Sequence, residues 1–232
     1  LFFDLEFRTY LAIIAFATVL VVVFGMRAGN ADFQPFETAF RNSLFQVVSI
    51  ITTTGYGTAD FDQWNQLGRG LLLLLMFVGG CAGSTGGGMK VIRHILFFKI
   101  LRIEVEGSFQ PKEVRLLKLG GKATEDQTLR HSILVYFGLI IALFAFGFLF
   151  VVAFESDLTW GTNPQNKLID SASAVASTLN NIGPGLGVIG STENYANFSV
   201  PSKSLFIWLM MLGRLEVFPI LVLFAPRFWH DQ

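Results

Sequence analysis

Residues 133–154 form one apolar run without a single charge, and nothing else restricts the possible folds of this chain so sharply. A segment of about 20 apolar residues is long enough to cross the hydrocarbon core of a bilayer as a helix. A helix apolar on every face belongs in lipid or deep inside protein, because it offers no stripe to water. Residues 10–26 form a second such run. The 232-residue chain is 52% hydrophobic, only 15% charged, and contains 25 phenylalanines. Its mean hydropathy is +0.55, which suits a soluble domain poorly. A net charge of zero gives no sign of a nucleic-acid partner. The single cysteine, Cys81, excludes an internal disulfide and a four-cysteine metal site. His94, His131 and His230 are scattered near basic residues and read as membrane-flank residues rather than ligands. Leu1 is no initiator methionine, so the sequence reads as a piece of a longer chain.

The order of segments repeats, and that is the most informative internal feature. In the first half a charged lead-in at 4–8 precedes the run 10–26, and a polar connection follows at 27–34. Residues 36–51 carry Glu37, Arg41, Asn42 and Gln46 and are too polar to span alone. They are predicted to form a half-membrane re-entrant helix, tolerated only beside protein or a water-filled cavity. The apolar stretch 67–78 then breaks at Gly79-Gly80-Cys81-Ala82-Gly83-Ser84-Thr85-Gly86-Gly87-Gly88. Six glycines in ten residues cannot hold a stable helix when each costs about 1 kcal/mol relative to alanine. Irregular backbone at membrane depth implies an aqueous path beside it. A helix resumes over 89–103. The second half gives the span 133–154, an outer connection 155–166 with Trp160 at an interface, a short Ser/Ala-rich helix 167–178, a second glycine loop 179–187, and a closing span 205–224. Between residues 90 and 130 nine bases oppose five acids, which places that connection in the cytoplasm. The chain divides into a first repeat 1–103, a cytoplasmic connection 104–127 and a second repeat 128–232. The expected fold is an all-α membrane protein of two tandem helix–pore loop–helix repeats.

Thr53-Thr54-Gly55-Tyr56-Gly57 follows the first re-entrant helix. Potassium-channel filters of the Thr-Val-Gly-Tyr-Gly type replace an ion's hydration shell with backbone carbonyls. Such a loop needs threonine at its inner end and a glycine able to take positive φ, so that successive carbonyls face one axis. Alignment on the glycines sets Gly183 against Gly55, Pro184 against Tyr56, and Gly185 against Gly57. The expected ligands of a transported K⁺ are therefore the carbonyls of Thr53, Thr54, Gly55, Tyr56, Asn181, Ile182, Gly183 and Pro184. An ordinary Gly-Tyr-Gly turn is the bland alternative, and the membrane context argues against it. The re-entrant helices aim C-terminal dipoles at the ion, favouring a cation by about 0.3–1 kcal/mol each. Neither loop contains a carboxylate, which favours carbonyl coordination of a monovalent ion. Two loops cannot close a ring by themselves. Asp60 and Asp62, just outside the first loop, either concentrate cations at its mouth or are plain surface acids.

Gly79, Gly80, Gly83, Ser84, Thr85, Gly86, Gly87 and Gly88 are expected to form an intramembrane gate beneath the filter; close packing of a kinked helix through small residues is the alternative. Arg214 lies ten residues into 205–224, too deep to reach either surface easily. A central arginine costs at least about 2.5–3.5 kcal/mol on insertion scales, so it should face a polar interior. Glu216 is two residues away and does not share its helix face. Arg214 is therefore expected to line the pore below the filter, hydrogen-bond the closed loop and oppose cations; a structural arginine away from the pore is the alternative. An enzyme reading has little support. The stretch 83–90 looks superficially like a phosphate loop, but Met89 separates Gly88 from Lys90 and Val91 follows, whereas a Walker A loop needs Gly-Lys-Ser/Thr. A non-conducting structural membrane subunit is the better rival.

Taken together, Thr-Thr-Thr-Gly-Tyr-Gly with Gly-Gly-Cys-Ala-Gly-Ser-Thr-Gly-Gly-Gly-Met-Lys, and Asn-Asn-Ile-Gly-Pro-Gly with Gly-Arg-Leu-Glu, resemble the Trk/Ktr/HKT superfamily over essentially the whole chain. The resemblance implies potassium uptake across the bacterial inner membrane by a multi-pass protein in contact with lipid. It implies four repeats per chain, of which these match the third and fourth, and a pseudo-fourfold, potassium-channel-like pore with one filter loop from each. It also implies a pore-lining arginine at the Gly-Arg position, a homodimer, and regulation by a cytoplasmic TrkA-like nucleotide-binding ring, with no organic cofactor in this chain. Without the first two repeats this piece alone is not expected to conduct. The Pro184 loop departs from a potassium-channel signature, which leaves strict preference for K⁺ over Na⁺ open.

Overall fold

A computed structural model describes residues 4–29, 31–109, 117–119, 122–124, 127–161 and 163–215. Seven α-helices dominate them. Helix α1 (Leu5–Ala28) starts where the Asp4 carboxylate accepts the Glu6 N–H at 3.1 Å and stops at Gly29, whose φ of 72° closes the last turn. The lead-in around residue 4 thus belongs to the helix, as its cap and first turn. Helix α2 (Phe36–Ile51) and helix α3 (Gln66–Leu75) follow. Asn65 caps α3 through the Gly68 N–H at 2.7 Å, and its amide also donates to the Phe24 carbonyl at 2.7 Å, which staples α3 to α1.

Helix α4 (Val91–Phe109) runs well into the expected connection. There an antiparallel hairpin pairs β1 (Leu117–Leu119) with β2 (Lys122–Thr124). Helix α5 (Gln127–Phe154), helix α6 (Lys167–Leu179) and helix α7 (Val200–Arg214) complete the second repeat. Only α1 and α5 are long and apolar enough, among the described residues, to cross a membrane by themselves. Their outer faces are bare: Phe16 is 66% exposed and Ile141 63%, as lipid-facing positions should be. At 16 and 13 residues, α2 and α6 rise about 24 and 20 Å, short of a hydrocarbon core about 30 Å thick. The closing helix differs from the expected run 205–224. It begins at Val200, five residues earlier, and ends at Arg214; residues 216–224 and Glu216 lie outside the described residues.

Two cores hold the repeats. One gathers α1, α2 and α3 around Val21, Val47, Ile50 and Leu72 and takes in Ala176, Ile182 and Leu186 from the second repeat. The other gathers α5, α6 and α7 around Ile140, Val175 and Leu209 and takes in Leu96 and Ile100 from α4. Each repeat therefore lends side chains to the other, and Phe77 meets Phe144 edge-on at 5.2 Å between them. In lipid, helices associate by close packing rather than by escape from water, which favours small residues at the contact. Ser171, Ser173, Ala174, Ala176 and Ser177 supply such a buried surface on α6.

Just past the end of α5, Glu155 ties α5 to α7. Its carboxylate takes hydrogen bonds from the Thr159 hydroxyl at 2.8 Å, the Ser202 hydroxyl at 2.6 Å, and the Ser199 N–H and hydroxyl at 3.1 and 2.8 Å. Burial pushes this carboxyl up, but the hydrogen bonds from Ser202, Ser199 and Thr159 outweigh that and leave it below the ordinary glutamate range.

Candidate functional site

Both re-entrant helices unwind into their loops in the same way. After α2, the Thr53 N–H donates to the Ile50 carbonyl at 3.0 Å and the Thr54 N–H to the Ser49 carbonyl at 2.9 Å. After α6, the Asn181 N–H donates to the Thr178 carbonyl at 3.2 Å and the Ile182 N–H to the Ser177 carbonyl at 2.9 Å. Positive φ then recurs at matched positions: 54° at Thr53 and 77° at Gly55, 57° at Asn181 and 110° at Gly183. A β-carbon makes this conformation unfavourable by about 1–2 kcal/mol, so Thr53 and Asn181 are held there by their surroundings. The glycine alignment foresaw Gly55 and Gly183; it did not foresee the two non-glycine positions.

The loops lie against each other. A β-carbon on Gly55 would run into the Ile182 carbonyl oxygen and come within 3.0 Å of Pro184 Cδ. Hydroxyls secure two of the expected carbonyls: Ser49 donates to that of Tyr56 at 2.6 Å, and Tyr195 to that of Gly183 at 2.8 Å. Ser177, the counterpart of Ser49, instead accepts the Gly183 N–H at 3.1 Å. Sequence reasoning passed over both serines, although their shared place two residues before the end of each re-entrant helix was visible in the alignment. Thr54, Tyr56 and Gly183 are exposed.

The glycine stretch has no regular structure and touches both loops. Two backbone bonds pinch its ends together, Gly79 N–H to the Met89 carbonyl at 2.8 Å and Val91 N–H to the Gly80 carbonyl at 3.1 Å. The Gly87 N–H donates to the Thr53 hydroxyl oxygen at 3.0 Å, which links the stretch to the first loop. A β-carbon on Gly87 would also run into the Asn180 carbonyl, which links it to the second. Two charged side chains outside the expected set shape it. Lys90 donates to the Ser84 and Gly86 carbonyls at 2.8 and 2.7 Å, although it reads in sequence as one more cytoplasmic base. Glu6 accepts the Ala82 and Ile92 N–H groups at 2.8 and 3.1 Å, binding the first turn of α1 to the loop and to the start of α4. Ser84 accepts the Gly86 N–H at 3.1 Å and is exposed, as are Gly83 and Thr85.

Arg214 is the last residue of α7 rather than its midpoint, where a cation also favours the C-terminal dipole. It lines a 210 Å³ cavity with Ser84, Thr85, Gly88, Lys90 and Asn180. Among the described residues it makes no hydrogen bond to the loop. Asp60 caps the turn Phe61–Gln63. Asp62 fits neither expectation for it, being paired with Arg69 at 3.6 Å and bonded to the Gly187 N–H at 2.7 Å.

A family model described as a cation transport protein, TrkH, matches residues 1–231. The chain is 35% identical over 228 residues to the Trk system potassium uptake protein TrkH of Escherichia coli K12, covering 98% of this chain and 44% of that protein. It is 38% identical over 194 residues to the protein of the same name from Salmonella typhimurium, covering 84% of this chain and 38% of that one. The crystal structure of the potassium transporter TrkH from Vibrio parahaemolyticus matches with a TM-score of 0.82 at 34% identity, covering 97% of this chain and 45% of that chain. The chain spans less than half the length of these relatives.

Proposed function

The chain belongs to the TrkH cation transport protein family, and on that premise we propose that it supplies two of the four filter loops of a potassium-uptake pore. It is a multi-pass inner-membrane chain with an all-α transporter fold. The carbonyls of Thr53, Thr54, Gly55 and Tyr56, with those of Asn181, Ile182, Gly183 and Pro184, dehydrate and coordinate K⁺ as it passes. The observation that carries this reading is the paired positive φ at 53/55 and 181/183 after two identically terminated re-entrant helices.

Residues 79–88 act as the gate under the filter, and Arg214, on the cavity beside them, adds a positive barrier to cations. The exposed sides of Thr54, Tyr56 and Gly183 face the other two repeats across the axis. The repeats divide at the connection 104–127, which lies in the cytoplasm. Assembly as a homodimer over a TrkA-like nucleotide-binding ring follows from the superfamily resemblance. The full-length protein, reconstituted in liposomes, tests both parts. K⁺ flux should be present, and deletion of residues 79–88 should raise it. Absence of flux would favour a non-conducting subunit, and flux unchanged or lowered by the deletion would count against the gate.

A further inference from the structure

Asp62 belongs to the outer arm of the first loop, but its carboxylate acts on the second. Oδ1 accepts the Gly187 N–H at 2.7 Å, and Arg69 Nη2 sits 3.6 Å from the same oxygen, with the two side chains 20% and 10% exposed. The approach is possible because the neighbouring residues are glycines. A β-carbon on Gly190 would run into Asp62 Oδ2, and one on Gly187, at φ 64°, into the Asp170 carboxylate. Asp170 Oδ2 in turn accepts the Val188 N–H at 3.4 Å. Residues 187–190 are thus gripped between two carboxylates, one from each repeat. The grip reaches the filter within a few bonds, since the Ile189 carbonyl accepts the Gly185 N–H at 2.7 Å and Gly185 stands two residues from Gly183. The reverse contacts, from Ser191 to the Ala59 carbonyl and to Asp60, are longer at 3.4 Å each.

We infer that Asp62 is a positioning residue for ion selectivity, holding the second filter loop in place from the neighbouring repeat; the inference rests on the filter reading above. Its hydrogen bond to Gly187 is charge-assisted and so among the stronger kind. The Arg69 guanidinium keeps the carboxylate aimed, and no side chain inside residues 183–187 is positioned to replace it. A slackened outer arm lets the Gly183 and Pro184 carbonyls follow a smaller ion inward, which is how selectivity is lost without loss of the pore.

The test measures the K⁺/Na⁺ permeability ratio of the full-length protein from reversal potentials, with Gly183→Ala as the control on the filter itself. Asp62→Ala should lower the ratio about tenfold, the scale set by one charge-assisted hydrogen bond. Asp62→Asn should fall between it and wild type, because its amide oxygen still accepts from Gly187 but no longer answers Arg69. Gly190→Ala keeps the carboxylate and displaces it, so it should lower the ratio as well and serves if Asp62→Ala does not reach the membrane. An unchanged ratio in Asp62→Ala or Gly190→Ala, with Gly183→Ala selective no longer, overturns the role of Asp62 and leaves the filter standing. An unchanged ratio in all of them overturns the filter reading and this inference with it.

Discussion

Gly55→Ala and Gly183→Ala replace aligned filter glycines, yet they should not be equally damaging. Gly55 sits at φ 77°, and its new methyl would enter the Ile182 carbonyl and press on Pro184 Cδ at 3.0 Å. Alanine in the left-handed region costs about 1–2 kcal/mol, and overpacking against fixed backbone adds about 1–3 kcal/mol. At Gly183, φ is 110° and no described atom lies within 4 Å of the added methyl, so only the backbone cost of about 1–3 kcal/mol applies. The packing difference alone corresponds to roughly tenfold in an equilibrium between ordered and disordered filters. Because the clash at Gly55 falls on the second loop, that substitution should disturb both filters at once. The assay is the K⁺/Na⁺ permeability ratio of each full-length variant at equal protein in the membrane. Gly55→Ala should reduce selectivity more. Equal ratios in the two variants, or a larger loss at Gly183, would refute the inferred contact between the loops.

Glu155→Ala should lower thermal stability in detergent by roughly 1.5–3 kcal/mol, the scale of hydrogen bonds to a charged group, read as a shift of the melting midpoint. Because its carboxyl is held below the ordinary value of 4.5, the stabilisation is complete above that pH and is lost as pH falls through the lowered value; the melting difference between wild type and variant should shrink there and nowhere above. Asn65→Ala removes the α3 cap and its bond to the Phe24 carbonyl, and should cost about 1 kcal/mol in the same melts without changing the permeability ratio. Arg214→Gln should raise K⁺ flux with selectivity unchanged; flux at or below wild type, at equal protein in the membrane, leaves Arg214 a structural residue.

Much of the architecture was legible because lipid restricts sequence so strongly. The apolar runs foretold α1 and α5, and the polar residues Glu37, Arg41 and Asn42 marked α2 as re-entrant. The glycine register aligned the two loops, and backbone torsions agree with it at Gly55 and Gly183. Other features left no local trace. Hydropathy runs on past Leu215, so it gave no hint that α7 ends at Arg214. Asp62 and Gly187 are 125 residues apart, and Glu6 meets Ala82 and Ile92 at separations of 76 and 86 residues. A lone acid in a loop or a first helical turn carries no periodicity that could announce such a partner. Lys90 was hidden differently: a base next to other bases reads as a cytoplasmic flank, and only the fold of the glycine stretch turns its ammonium onto two carbonyls.

The central claim is that two filter loops from this chain hold K⁺ on a shared axis. A structure of the full-length protein in Rb⁺, a heavy substitute for K⁺, tests it directly through anomalous scattering. The account predicts Rb⁺ peaks on the axis, coordinated by carbonyls from residues 53–56 and 181–184 together. Peaks confined to other positions, or coordinated by carboxylates such as Asp60, would contradict it.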